Sequence, residues 1–408
     1  MKKILILAII TAGLLAVIPG CNTSQNRALI ITGQGTYNWE ASYPILKTIL
    51  DETTLFKTDV AITPEKGGDM SKFKPNFSKY KLVVLDYNGD SWSDETKSAF
   101  VTYVSNGGGV VSYGESCMAF PDWKEYNEMI GLGGWNGRDA SAGPYVYYRR
   151  NELVVNDTAT GPAGVRISKR EYPIRTRNME HPVMKGLPVN WMHAEDQMLV
   201  SLRGPAKNME ILATANSDTM PRMRFGRGGG GNSKDEPMLM AITYGQGRIF
   251  NTLIGVADPG EGSAMKCAGF IITLQRGAEW AATGEVSQPV PFDFPTGAGV
   301  FMRPDYKALT AEDDFNNIRS YEIGKSTKYM VDIQDRIRQA SGDPAKLLEI
   351  EKMMVGVLKD QNASVDSKKL ILRELSWMGS DFCIPEIEAL ANNPELSDEA
   401  GYALERLK

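Results

Sequence analysis

The stretch NGGGVVSYGESCMAFPDWKEYNEMIGLGGWNGR, residues 106–138, decides how the chain is read. Gly107 to Gly109 stop a helix, Val110 to Tyr113 form a short apolar run, and Gly114 permits a sharp turn where that run ends. The spacing predicts a buried strand, a turn, a short helix and an arginine-bearing loop. In an open parallel sheet the carboxyl edge of such a strand is where ligands bind.

Upstream, residues 81–86 (KLVVLD) are a continuous apolar run closed by Tyr87-Asn88-Gly89-Asp90, the pattern of a strand covered on both faces and followed by a turn. Ser93 suits a helix N-cap, Asp94 and Glu95 suit its first turn, and Phe100, Val101 and Val104 make its apolar stripe. Residues 27–32 (RALIIT) predict the first strand, ending at Gly33-Gln34-Gly35. Ile45, Leu46, Ile49 and Leu50 recur at helical spacing after Ser42 and Pro44, and residues 60–62 read as a second strand. Strand and helix alternate with short connections, which predicts an α/β fold: a parallel sheet with right-handed crossovers and helices on both faces.

Downstream the pattern changes to scattered strands at residues 145–148, 153–155, 209–215, 238–244 and 248–253, expected to extend the sheet. Residues 225–232 (FGRGGGGN) read as a surface loop, since no Gly-Lys-Ser/Thr closes them into a phosphate cradle. Residues 264–282 predict a helix, and the proline-punctuated run 289–304 contains a linker at 296–304. Residues 305–408 are polar and helical; Ile384, Ile387, Leu390 and Ala391 before Pro394 resemble a HEAT-type repeat. So few repeats do not stand alone, so this module is expected to dock on the main domain or on a partner protein.

At the amino end, Lys2 and Lys3 precede an apolar run over residues 4–18, and Ile18-Pro19-Gly20-Cys21 resembles a bacterial lipobox. The run is shorter than the roughly 20 residues a membrane span needs. Residues 1–20 are therefore expected to be a lipoprotein signal peptide, Cys21 the lipidated residue and 21–26 a tether. Asn22 and the lack of an acidic run after it point to an outer-membrane anchor facing the periplasm. Cys117, Cys267 and Cys383 are odd in number and far apart, as free thiols are. With a net charge of -5 and cations interspersed with anions, nucleic acid is not an expected partner.

Several phrases point one way: RALIITGQGTYNW, VVLDYNGDSW, AFPDWKEYNEMIGLGGWNGR, GPYVYY, HPVMKGLP, LRGPAKNMEILATA, EPMLMAITYGQGRIFNT and GFIITLQRGAEWAATG. In that order, from about Arg27 to about Pro295, they resemble the ThuA-like (trehalose-utilisation) family, whose fold is similar to class I glutamine amidotransferases. The resemblance implies a flavodoxin-like α/β domain at residues 27–295 acting on oxidised sugars, 3-keto-glycosides foremost. The family's cleft carries histidines, whereas this chain has only two in all. Tyr37, Gly114, Arg166 with Arg170, and Asn251 with Val256 stand where they would fall. Arg stays charged and serves neither as a base nor as a metal ligand.

Cys117 lacks the compact Gly-x-Cys-x-Gly turn of a nucleophile, and free cysteine is more often a small buried hydrophobe. Asp86, Asp90, Glu115, Asp196 and Glu236 are oxygen donors, but scattered acids usually face water or pair with arginine, so neither metal nor other cofactor is assigned. A small-molecule carbohydrate is the expected ligand. Gln34, Tyr37, Asn38 and Trp39 follow the first strand; Tyr87, Asn88 and Asp90 follow the third; Ser116 follows the fourth; Trp135, Arg138 and Arg166 lie beyond. Aromatic faces and hydrogen-bonding side chains on converging loops suit a sugar. For acid–base chemistry Glu115 leads, with His193 and Asp196 of WMHAEDQM beside it, while His181 before Pro182 reads as structural. Two function classes stay open: a hydrolase, lyase or isomerase on glycosides or 3-keto-glycosides, and a non-catalytic sugar-binding or scaffold protein.

Overall fold

The computed structural model describes residues 25–217, 234–256, 264–306, 311–325 and 327–407. The expected signal peptide, Cys21 and the glycine run 225–232 lie outside the described residues. Strand β1 (Asn26–Thr32) leads through helix α1 (Trp39–Glu52) to β2 (Phe56–Ile62), and β3 (Leu82–Leu85) through α2 (Asp94–Ser105) to β4 (Gly109–Tyr113). Then come α3 (Lys124–Ile130), β5 (Tyr145–Arg149), β6 (Glu152–Asn156), β7 (Val165–Thr176), β8 (Asn190–Val200), β9 (Met209–Asn216), β10 (Asp235–Tyr244), β11 (Gly247–Thr252) and α4 (Ala268–Thr283).

All the strands join one sheet in the order β2-β1-β3-β4-β11-β10-β9-β7-β8, with β5 and β6 branching from β10. From β2 to β11 the pairings are parallel, as the crossover helices require; from β11 to β8 they are antiparallel. The parallel sheet expected from sequence is thus the core of a mixed one. Helices α1 and α4 cover one face, packing Leu46, Ile49, Phe270 and Leu274 with Phe250 and Trp191. On the other face, α2 and α3 pack Phe100, Val104 and Met129 around an aromatic nest of Tyr87, Trp92, Phe120 and Trp123. Helix α4 is buried almost all round, and Gly277 lets it lie against Phe250, whose ring a Cβ would meet at 2.2 Å.

Three expectations need correction. Helix α1 starts at Trp39, not after Ser42, because the Asn38 side chain caps it by accepting from the Ala41 amide at 3.2 Å. Strands β7 and β8 were not foreseen: register shifts between Ile167 and Arg170 and between Arg170 and Tyr172 break the two-residue period that reveals a strand. Residues 296–304 are no loose linker. With the residues before them they strap the domain: Phe294 packs on Trp191, the Ala268 amide donates to the Phe301 carbonyl at 2.9 Å, and Asp293 and Arg303 form a buried ion pair.

Beyond the strap, α5 (Ala311–Ile318), α6 (Lys328–Gln339), α7 (Pro344–Lys359), α8 (Val365–Met378), α9 (Ile384–Leu390) and α10 (Ser397–Leu407) enclose their own core of Phe315, Ile333, Met354, Leu358, Ile371, Leu375 and Ile387. The Arg336 guanidinium of α6 sits 3.0 Å from the Phe292 ring centre, which joins this core to the strap. No helix among the described residues is long and apolar enough to cross a membrane.

Candidate functional site

The loops after β1, β3 and β4 meet at the carboxyl edge of the sheet, and Glu115 holds them together. Gly114 turns the chain at φ +53°, and the next residue sends its buried carboxylate under the β1 loop. There it accepts from the Thr36 amide (2.8 and 2.9 Å), the Tyr37 amide (3.0 Å), the Thr36 hydroxyl (2.6 Å) and Asn88 Nδ2 (3.2 Å). Gly35 allows this approach, since a Cβ there would lie 2.3 Å from a carboxylate oxygen. With its oxygens so engaged, Glu115 is built as an anchor rather than as a free base.

Its neighbours serve the same floor. Ser116 donates to the Leu85 carbonyl (2.6 Å) and accepts from the Tyr87 amide (3.2 Å). Gln34 bridges the Pro64 carbonyl and the Asp90 amide, both at 2.8 Å, and the Asp90 carboxylate takes the Gly67 amide. Tyr87 is buried against Phe120 with its hydroxyl on the Asp90 carbonyl. Buried Arg138 gathers the carbonyls of Met118, Ala119 and Gly134 with Asn127 Oδ1, shaping the next loop. Gln34, Tyr87, Asp90, Ser116 and Arg138, expected from sequence to contact ligand, are engaged in these internal bonds. Trp39 stacks on Tyr43 and Asn38 caps α1, both at the rim.

Three further ionisable groups, Asp86, His193 and Asp196, are buried here. Asp86 closes β3 at the switch point between β1 and β3, where it takes the Ser42 hydroxyl at 2.5 Å. Burial, with the charge of Glu115 nearby, raises its carboxyl to about 7. On β8, His193 Nε2 lies 2.9 Å from Asp196 Oδ2, both side chains wholly buried. Asp196 also accepts from the amides of Gly255 (2.7 Å) and Gln197 (2.8 Å). Burial alone would push the His193 imidazole down, but Asp196 and the Cys267 thiol lift it to about 9. His193 and Asp196, expected from sequence as acid–base candidates, pair with each other, and neither reaches the surface.

The mouth of the cleft is different, because its groups are part-exposed. The Arg166 guanidinium lies 5.5 Å from the Tyr37 ring centre and 5.4 Å from that of Trp135. The Tyr37 hydroxyl bonds to Gln197 Oε1, and Asn136 Nδ2 bridges Asn88 Oδ1 (3.2 Å) and the Met118 carbonyl (2.8 Å). Of the residues expected to bind ligand, Tyr37, Asn88, Trp135 and Arg166 therefore share one surface. Sequence missed Thr36, Asn136, Gln197 and the role of Asp86; the one signal for the last was the acid closing KLVVLD. Cys117 is buried, which pushes its thiol up to about 12 and away from nucleophilic use. Glu236 lies apart on β10, holding the Tyr145 hydroxyl and the Ser201 amide. Among the described residues no three His, Cys, Asp or Glu side chains are grouped to hold a metal ion.

Sheet order and crossovers define a flavodoxin-like α/β protein, with the loops after β1, β3 and β4 gathered at the carboxyl ends of its strands. Residues 27–281 match the family described as ThuA, trehalose utilisation, and the chain belongs to that family. A ThuA-like protein from Parabacteroides merdae, known from its crystal structure, is 45% identical; the match covers 70% of this chain and 100% of that one, with a TM-score of 0.65. A ThuA-like protein from Bacteroides uniformis is 17% identical over 66% of this chain and 96% of that one, with a TM-score of 0.40. No curated protein matches the chain.

Proposed function

We propose that the cleft binds a carbohydrate, a glycoside or 3-keto-glycoside, and that binding rather than turnover is its main work. The mouth carries this reading: two part-exposed rings stand beside amide and guanidinium donors, the set that covers a pyranose face and reaches its hydroxyls. A family described by trehalose utilisation supports a sugar ligand. Glu115 and His193, which a catalyst would use, are engaged in holding loops and in a buried pair. A second reading, hydrolase, lyase or isomerase, draws on Asp86, whose carboxyl exchanges its proton near the pH range that acid–base catalysis needs.

Calorimetry and turnover assays with glucosides and 3-keto-glucosides test the proposal. Binding without turnover is expected, and Glu115→Gln is expected to weaken it about tenfold or more, because an amide NH₂ would face the Thr36 and Tyr37 amides. Unchanged affinity in that variant would put the site elsewhere, and turnover abolished by Asp86→Asn would establish the enzyme. We also propose a lipid on Cys21 that holds the chain at the outer membrane, facing the periplasm, with the helical module engaging a partner protein. Labelling by an alkynyl fatty acid should be lost in Cys21→Ala; an unlabelled wild-type chain would sink the anchor.

A further inference from the structure

At the mouth of the cleft, Arg166 makes no direct ion pair with a described acid; the Glu115 carboxylate stands one hydroxyl away, across Thr36. Among the described residues the Arg166 Nη2 reaches the Thr36 hydroxyl at 3.4 Å and the Met118 sulfur at 3.5 Å, both neutral and both long contacts. The acids below it are each satisfied. Glu115 holds the loop amides, Asp196 holds His193 and two backbone amides, and Asp86 is largely screened from solvent on Ser42. Arg166 is exposed, yet it is not a loose surface cation. Its place near the Tyr37 and Trp135 rings restrains the guanidinium, so less freedom is lost when it takes a ligand. Met118, on which it rests, also carries the Asn136 contact, and Asn136 joins Asn88. Cation, rings and neutral amides thus line one wall.

We propose that this wall selects sugars bearing a carboxylate, the uronides, with the carboxylate on Arg166 and the hydroxyls on the Asn88 and Asn136 side. The inference rests on the carbohydrate reading above and narrows it to an anionic class. A carboxylate is preferred to a sulfate or phosphate ester because its planar pair of oxygens matches the guanidinium fork. The neutral amides then read the hydroxyls, and Tyr37 or Trp135 covers a ring face.

The test is calorimetry on the full-length chain in detergent at low salt. The probes are methyl glucuronides and galacturonides of both anomers, their uncharged methyl esters, methyl glucoside and glucose 6-sulfate. At least one uronide is expected to bind about tenfold tighter than its ester, in line with a charge-assisted hydrogen bond. That ratio should fall to about one in Arg166→Gln and recover in part in Arg166→Lys, with thermal unfolding of both variants unchanged because the side chain is exposed. Equal binding of acids and esters overturns the anionic class while leaving the carbohydrate reading in place. An acid preference that survives Arg166→Gln overturns the role of Arg166, and tighter binding of the sulfate than of any uronide overturns the choice of carboxylate. A chain that binds none of the sugars overturns this proposal and the carbohydrate reading together.

Discussion

Asp293→Ala is expected to destabilise the chain by about 3–5 kcal/mol, the cost of leaving a buried charge without its partner. The two carboxylate oxygens of Asp293 take Arg303 Nε and Nη2 at 2.6 Å each, and the side chains are 0% and 1% exposed. The pair closes the strap whose Phe294 sits against Trp191, so its loss should also open residues 285–306 to protease. Urea unfolding and limited proteolysis read the two effects. Pairing Asp293→Leu with Arg303→Met, which removes both charges and keeps volume, should restore much of the loss. A midpoint unchanged in Asp293→Ala would mean that packing, not the ion pair, holds the strap.

The second large effect is on pH dependence. Asp86 has a folded pKa raised from 3.8 to about 7, chiefly by burial, so its stabilising contribution is complete below about pH 4 and is lost as the pH rises through about 7. His193 is raised from 6.5 to about 9, with burial opposing and Asp196 and Cys267 prevailing; its contribution is complete below 6.5 and is lost as the pH rises through about 9. Both slopes have the same sign and the two windows abut, so Tm should fall continuously between about pH 4 and pH 9. Asp86→Asn keeps an acceptor for the Ser42 hydroxyl and cannot ionise. It should match wild type at about pH 4 and melt several degrees higher at pH 8, where the ionised wild-type carboxylate is costly by on the order of a few kcal/mol. Parallel Tm curves for the two proteins across that range would show that Asp86 ionises in the folded chain as easily as in water.

The parallel half of the sheet was legible because its strands are buried on both faces and read as unbroken apolar runs, KLVVLD above all. The antiparallel half was not. In β7 the exposed face carries Arg166, Lys169 and Arg175, Pro173 interrupts the run, and two bulges shift the period, so no window of the sequence alternates cleanly. The cleft was legible by position, since loops after β1, β3 and β4 had to converge. The roles within it were not, because Glu115, Gln34 and Arg138 look like ligand groups until their partners are known. Those partners are backbone amides and carbonyls, which a sequence does not display. His193 and Asp196 lie close along the chain; only the fold reveals that both are wholly buried, with the turn after β11 closing on Asp196.

Because one carboxylate joins the turns after β1, β3 and β4, those three turns form a single plate. A sugar landing on it would order little that is not already ordered, so the entropic toll of capture falls on the ligand and on the few side chains at the rim. Association should then be fast and simple, one exponential without a slow closing phase, and discrimination between sugars should appear in how long each stays. Weakening the plate would reverse this, giving slower, two-phase capture by a protein that had lost none of the groups that touch the sugar.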